Sequence, residues 1–203
     1  MPTFRDQKRE RTRAAIVDAA TTLFLRDGYE QTRIADIATA ADVGLRTFFS
    51  YFASKDELLF PDAATRVKAA IDAIEARTAS DTPTSVLIRA LDEFGVTSTD
   101  LVDERAALRM SLLRDVPAVA GRGQQIQRDA RAQIALHLHQ AYPKELDELG
   151  AAAMVGAFIG AIDGTLQVTF DDPDWQRSDR ETRRKRITAA TRAALAPWSP
   201  NGG

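Results

Sequence analysis

Apolar residues in this chain recur every three or four positions, and no run of strict apolar-polar alternation is long enough for a sheet strand. A face that repeats every 3.6 residues is buried only as a helix, so the pattern restricts the chain to helices packed on helices. The expected fold class is all-α. With 203 residues, 44% hydrophobic and 28% charged, the chain can bury a core without staples. The absence of cysteine excludes a disulfide framework, a thiolate nucleophile, an iron-sulfur cluster and a cysteine zinc site.

Ile16, Ala20, Leu23 and Phe24 fall on one face of a helix expected from Gln7 to Arg26, stopped by Gly28 and Tyr29. Thr32 is the expected cap of a second, short helix with Ile34, Ile37, Ala38 and Ala41 inward. Asp42 and Val43 turn the chain, and Gly44 precedes a third helix, Leu45 to Tyr51, with Phe48 and Phe52 facing the first two. Longer helices follow over about 56–78, 84–97, 102–114, 118–141, 145–170 and 178–195, with Pro83, Pro117, Pro143 and Pro173 as breakers. Residues 1–53 therefore read as a small unit, 54–197 as a larger helical domain, and 198–203 as a frayed tail.

Formal net charge is only −2, yet residues 1–13 carry five basic and two acidic side chains. Positive charge thus concentrates at the N-terminal tip, either as a solvated arm or as a phosphate or minor-groove contact. That tip has no apolar leader segment, which makes the cytoplasm the expected location. The longest weakly polar run, 149–162, falls short of the roughly 20 apolar residues a spanning helix needs, so no membrane segment is expected.

Two short helices joined by a tight turn, after a longer helix that buries one face, have the layout of a helix-turn-helix DNA reader. Helical geometry puts Leu45, Arg46 and Phe49 outward and Phe48 and Phe52 inward; four aromatics in five residues cannot all face one side. Arg46, the one long cation on that helix, is the candidate for a bidentate guanine contact. Thr47 and Tyr51 offer hydroxyls to phosphates, Lys55 offers a neutralising charge, and Thr32 and Arg33 sit where the second helix begins.

These residues carry a resemblance. Ala19-Ala20, Leu23-Phe24, Gly28-Tyr29, Thr32, Ile37-Ala38, Ala41, Val43, Thr47 and the run from Phe52 to Leu58 match the spacing of a TetR-family transcriptional regulator, over about a quarter of the chain. The resemblance implies a homodimer, a duplex DNA operator with two-fold symmetry, and release of DNA when a small molecule binds the larger domain. It also implies that the last two helices pair with their symmetry mates. Three positions depart from the family pattern: Asp42 stands where glycine is usual, Gly44 where a hydroxyl usually caps the third helix, and Phe49 where a tyrosine commonly touches DNA. Asp is short and polar enough to visit the left-handed region, Gly is an acceptable but weaker cap, and Phe leaves apolar contact, such as with a thymine methyl.

For a hydrophobic effector, the candidate lining residues are Leu91, Phe94, Leu108, Leu112, Ile134, Leu138, Met154 and Phe158, each of which also reads as ordinary core. The segment from Arg109 to Pro117 is loosely similar to a subgroup associated with acyl-coenzyme-A-like ligands. Ala152, Gly156, Gly160 and Gly164 recur every fourth residue, a nearly side-chain-free stripe suited to close helix approach, either in a dimer or within the protomer. His137 and His139 point to different helix faces, and the Asp-rich segment 171–174 lacks calcium-loop spacing, so neither a metal nor a cofactor is expected. Arg180, Arg183, Arg184, Lys185 and Arg186 read as the solvated face of the last helix, opposite a stripe of Ile187, Ala190, Ala194 and Leu195. No catalytic set stands out; the readings from other classes are an all-helical enzyme or carrier, and a transcriptional activator without effector release.

Overall fold

The first helix starts where two side chains close its open end. The Thr3 hydroxyl accepts from the Asp6 N–H at 3.2 Å, and the Asp6 carboxylate accepts from the Thr3 N–H at 2.9 Å. This capping box satisfies two orphan donors, so α1 runs Phe4–Asp27, three residues earlier than apolar spacing alone indicates. It stops at Gly28, whose φ of 88° is open to glycine; a Cβ there would stand 2.8 Å from the Gln31 amide oxygen. The computed structural model describes residues 3–97, 104–169 and 172–198, and among them it contains ten α-helices, two 3₁₀ turns and no strand.

Helices α2 (Ile34–Ala40) and α3 (Leu45–Tyr51) follow. The cap of α2 differs from expectation: Arg33 holds the N-cap position, and its N–H is satisfied by the Asp36 carboxylate at 3.2 Å. Thr32 lies one residue earlier, buried, with its hydroxyl donating to the Gly28 carbonyl at 2.8 Å. Between the helices Asp42 adopts φ 53°, the left-handed turn conformation expected of it, and Gly44 is the N-cap of α3.

The single helix expected over 56–78 is two pieces. A 3₁₀ turn, Asp56–Leu59, ends at Phe60, whose ψ of 46° leaves the helical region, and α4 begins only at Ala63 and runs to Glu75. Pro61 explains the break, since it restricts the residue before it and lacks an N–H. The remaining helices are α5 (Pro83–Thr97), α6 (Glu104–Asp115), α7 (Pro117–Ala141), α8 (Glu148–Thr169), α9 (Pro173–Arg177) and α10 (Arg180–Leu195), then a 3₁₀ turn, Ala196–Trp198. α9 replaces the polar turn expected near Pro173: Asp172 accepts from the Asp174 N–H at 2.9 Å and proline occupies the first turn. Asp171 and residues 102–103 of the expected 102–114 helix lie outside the described residues.

The chain divides into two units, Met1–Pro61 with Ser111–Arg122, and Asp62–Met110 with Gly123–Gly203. In the first, Ile16, Val17, Leu23 and Phe24 of α1 pack with Ile37 of α2 and Phe48 of α3, all buried. In the second, α4 and α5 contribute Ile74, Val86 and Leu87, the α7–α8 hairpin contributes Ile134, Leu138, Met154 and Phe158, and α10 contributes Ile187 and Leu195 to one apolar cluster. The buried stripe of α10 is Ile187, Thr191 and Leu195; Ala194 faces solvent, and the Thr191 hydroxyl is satisfied by the Ile187 carbonyl at 2.9 Å. Trp198, at the start of the expected tail, packs against this cluster, and its carbonyl accepts from Thr84 at 3.4 Å; residues 199–203 lie outside the described residues.

α8 is longer and more apolar than the 149–162 run suggests. Its 22 residues meet the length and composition of a membrane-crossing helix. Within this unit it supplies Ala151, Met154, Val155 and Phe158 to the core.

Candidate nucleic-acid interface

α3 is two turns long, and its two sides differ sharply. Phe48 is fully buried and Phe52, just past the helix end, nearly so, their ring centroids 6.1 Å apart. Leu45 is 50% and Phe49 54% exposed, and Arg46 and Thr47 are exposed beside them. The inward and outward assignments made from spacing therefore match the structure. Two large apolar side chains left in water on one short helix, flanking a cation and a hydroxyl, make a surface with base-edge and phosphate chemistry on one side.

The segment after α3 holds this helix pair in place. The Lys55 ammonium donates to the carbonyls of Tyr29 at 2.6 Å and Thr32 at 3.1 Å, and stands 4.2 Å from the centre of the Tyr29 ring. Burial, aided by Asp56 and Glu30, pushes the Tyr29 phenol up to about 12. The Glu57 carboxylate accepts from the Ala53 N–H at 2.8 Å and from the Arg122 guanidinium at 2.7 Å. Leu58 is buried beneath them. Thr32 and Lys55 thus spend their polar groups inside the unit, whereas Arg33 is exposed at the N-terminus of α2.

Spacing on the third helix alone did not single out two residues of α1. The Arg9 guanidinium lies 5.8 Å from the centre of the half-buried Tyr51 ring, and the Arg13 guanidinium 5.3 Å from that of Phe52. Arg13 also donates to the Pro61 carbonyl. Their signal was their four-residue separation, which puts both on one helix face.

The residues from Phe4 to Pro61 thus form a helix-turn-helix with its polar frame closed and the outward face of α3 open. Residues 16–60 match the family model described as bacterial regulatory proteins, tetR family. Over these residues the chain is similar to that family. It is 34% identical over 122 residues to the HTH-type transcriptional regulator TcmR of Streptomyces glaucescens, a match covering 59% of this chain and 54% of that protein. The chain therefore spans about half the length of this curated relative. Among solved structures it resembles a Syntrophomonas wolfei protein assigned to the TetR-family transcriptional regulators, with TM-score 0.64 and 16% identity over 93% of this chain and 96% of that one. It also resembles a TetR-family transcriptional regulator of Streptomyces coelicolor, with TM-score 0.54 and 19% identity over 93% and 82%. At these identities the likenesses establish the fold.

In the second unit, Leu91, Ile134, Leu138, Met154 and Phe158 are buried in the shared core, and Leu108 is half-buried. Leu112 falls instead in the first unit, and the Phe94 side chain lies outside the described residues. The α8 stripe is open: Ala152, Gly160 and Gly164 are exposed, and a Cβ added at Gly156, Gly160 or Gly164 would meet nothing within 4 Å among the described residues. Leu149 and Val168, 80% and 77% exposed, extend the apolar character of the same helix. The basic cluster of α10 is largely engaged: Arg184 pairs with Glu181 at 2.8 Å and Asp92 at 3.6 Å, Arg186 with Asp172 at 3.7 Å, and Arg183 and Arg186 flank the Trp175 ring. His139 is occupied by the Leu146 carbonyl at 2.9 Å, while His137 stands 3.8 Å from Glu75.

Proposed function

We propose that this protein is a dimeric transcriptional regulator, acting in the cytoplasm as a repressor. It binds a two-fold symmetric duplex operator and leaves it when a small, largely hydrophobic effector occupies the second unit. The observation that carries the reading is the outward face of α3, where Leu45, Arg46, Thr47 and Phe49 stand in solvent over a rigid aromatic base. Arg46 reads guanine, Phe49 and Leu45 make apolar contact with base edges, and Thr47, Tyr51 and Arg33 meet phosphates. Thr32 and Lys55 act from behind by fixing where α2 and α3 stand.

Dimerisation supplies the second recognition helix, and the open Ala152-Gly156-Gly160-Gly164 stripe suits the approach of a symmetry mate. Effector binding works by differential affinity: the liganded conformer is one whose two α3 helices no longer match adjacent major grooves about 34–36 Å apart. An acyl-coenzyme-A-like molecule is one effector of this hydrophobic class. Fluorescence anisotropy of the purified protein on its own upstream DNA, against shuffled competitor over a salt series, tests the reading. Specific binding by two protomers per site is expected, and binding that is equal on all sequences contradicts it.

A further inference from the structure

The outward-facing helix α3 is held at one end by a residue far from it in sequence. α3 has only seven residues, its N-cap Gly44 offers no side chain, and it stops at Phe52, whose φ of −137° and ψ of 128° are extended. So short a helix is not stable through its own backbone bonds, and what grips its ends decides where it stands. At the C-terminal end, the first amide past the cap, that of Ala53, donates to Glu57 Oε2 at 2.8 Å. The other oxygen of that carboxylate, Oε1, accepts from Nη2 of Arg122, 65 residues further along the chain, at 2.7 Å. One carboxylate thus ties α7 to the peptide on which α3 ends.

Arg122 is committed to this part of the fold. Residues 111–122, the end of α6 and the first turns of α7, belong to the same unit as the three N-terminal helices. The Ala120 N–H donates to the Val116 carbonyl at 3.0 Å, which closes the first turn of α7, and Val119, one turn before Arg122 on the same helix face, is fully buried. The Arg122 Nε is buried as well; it makes no hydrogen bond among the described residues and faces the Asp56 carboxylate at 3.8 Å. A guanidinium placed in this way spends its charge on the 3₁₀ turn after α3 and is not free to follow a phosphate. Hydrogen bonds to an ionised group are the stronger kind, and here two of them meet on one carboxylate.

We infer that Arg122 is a positioning residue for DNA recognition: acting through Glu57, it fixes where the C-terminal end of α3 stands, and residues 111–122 complete the reading unit that residues 4–61 begin. This inference rests on the reading of α3 as the helix that meets DNA. Contacts to base edges tolerate displacements of only about 0.5 Å, so an α3 released at one end loses specific contacts although its own side chains are intact.

Hydrogen exchange of the full chain without DNA, together with anisotropy on the specific duplex well below the melting transition, tests this role. Arg122→Met, which keeps the stem, is expected to speed exchange about tenfold in peptides covering 45–55 and to leave peptides covering 16–24 of α1 unchanged. Its affinity for the duplex is expected to fall about tenfold with the wild-type salt slope, since no phosphate contact is removed. Glu57→Gln keeps an oxygen for the Ala53 N–H but loses the charge that holds Arg122. It is expected to behave like Arg122→Met, and the double variant to be no worse than either single one. Exchange that rises equally in all peptides or not at all, an unchanged affinity, additive losses in the double variant, or a shallower salt slope overturns the proposal. A wild type that prefers no duplex would instead contradict the reading of α3, and the exchange measurement would still decide whether Arg122 holds that helix.

Discussion

Lys55 and Tyr29, 26 residues apart, are joined twice: the ammonium donates to the Tyr29 carbonyl at 2.6 Å and sits 4.2 Å from the centre of its ring. Replacing Lys55 by methionine keeps most of the stem but leaves the Tyr29 and Thr32 carbonyls without their donor, at a cost of about 1–3 kcal/mol. Thermal melts should show that loss. On DNA, the affinity of the folded fraction should keep the wild-type salt slope, since a side chain bound to carbonyls releases no counterions.

Arg46 should behave in the opposite way. Arg46→Ala leaves the fold unchanged, because the side chain is exposed at the start of α3, and should cost about 1–3 kcal/mol on a specific duplex while relaxing the base preference. Anisotropy on the specific duplex and on single-base variants separates the two effects. A uniform loss across sequences would make Arg46 a phosphate contact instead.

Asp42, at φ 53°, carries the steric cost of a left-handed residue between α2 and α3. Asp42→Gly should be neutral or stabilising, and Asp42→Val should destabilise by about 1–2 kcal/mol or more, since a β-branched side chain tolerates that conformation worst. Denaturant midpoints of the two variants check the sign.

The contrast between these residues shows what spacing alone reveals. The three N-terminal helices, the inward Phe48 and the outward Phe49 follow from a 3.6-residue period, because a two-turn helix with three aromatics, and a fourth just past its end, has few ways to be half buried. The α1 start at Phe4 was missed because it depends on the Thr3–Asp6 side-chain box and not on an apolar stripe, and the break at Phe60 was missed because Pro61 sits in an otherwise helical pattern. At the site, Thr32 and Lys55 look like polar surface residues in the sequence; only the fold shows that their polar groups turn inward to carbonyls 4 to 26 residues away. The Gln127–Asp163 hydrogen bond joins α7 to α8 across 36 residues and gives no local signal.

Gly160 separates fold from assembly. A Cβ there meets nothing within 4 Å among the described residues, so Gly160→Ala should stabilise α8 by about 1 kcal/mol through helix propensity. Gly160→Leu should leave the monomer folded and shift the proposed dimer toward monomer in sedimentation equilibrium, because its side chain would occupy the space proposed for a symmetry mate. A dimer unaffected by leucine would move the interface off this stripe.

Acid should act through Asp81. The Thr78 N–H and the Arg89 guanidinium hold its carboxyl down to about 2, below its ordinary 3.8. A group depressed in the folded state adds stability that is fully present above the unfolded pKa, and that stability is lost as pH falls from about 4 toward 2. Melting temperatures of the wild type and Asp81→Asn should therefore differ at pH 6 and converge by pH 2.

Selection from a random duplex library, followed by anisotropy on the enriched site, tests whether the exposed face of α3 reads DNA sequence. The expected product is an inverted repeat whose half-sites lie about one helical turn apart, bound by two protomers at least a thousandfold more tightly than shuffled sequence, with Arg46→Ala losing that preference. No enriched motif, or equal affinity for the enriched and shuffled duplexes, would contradict it.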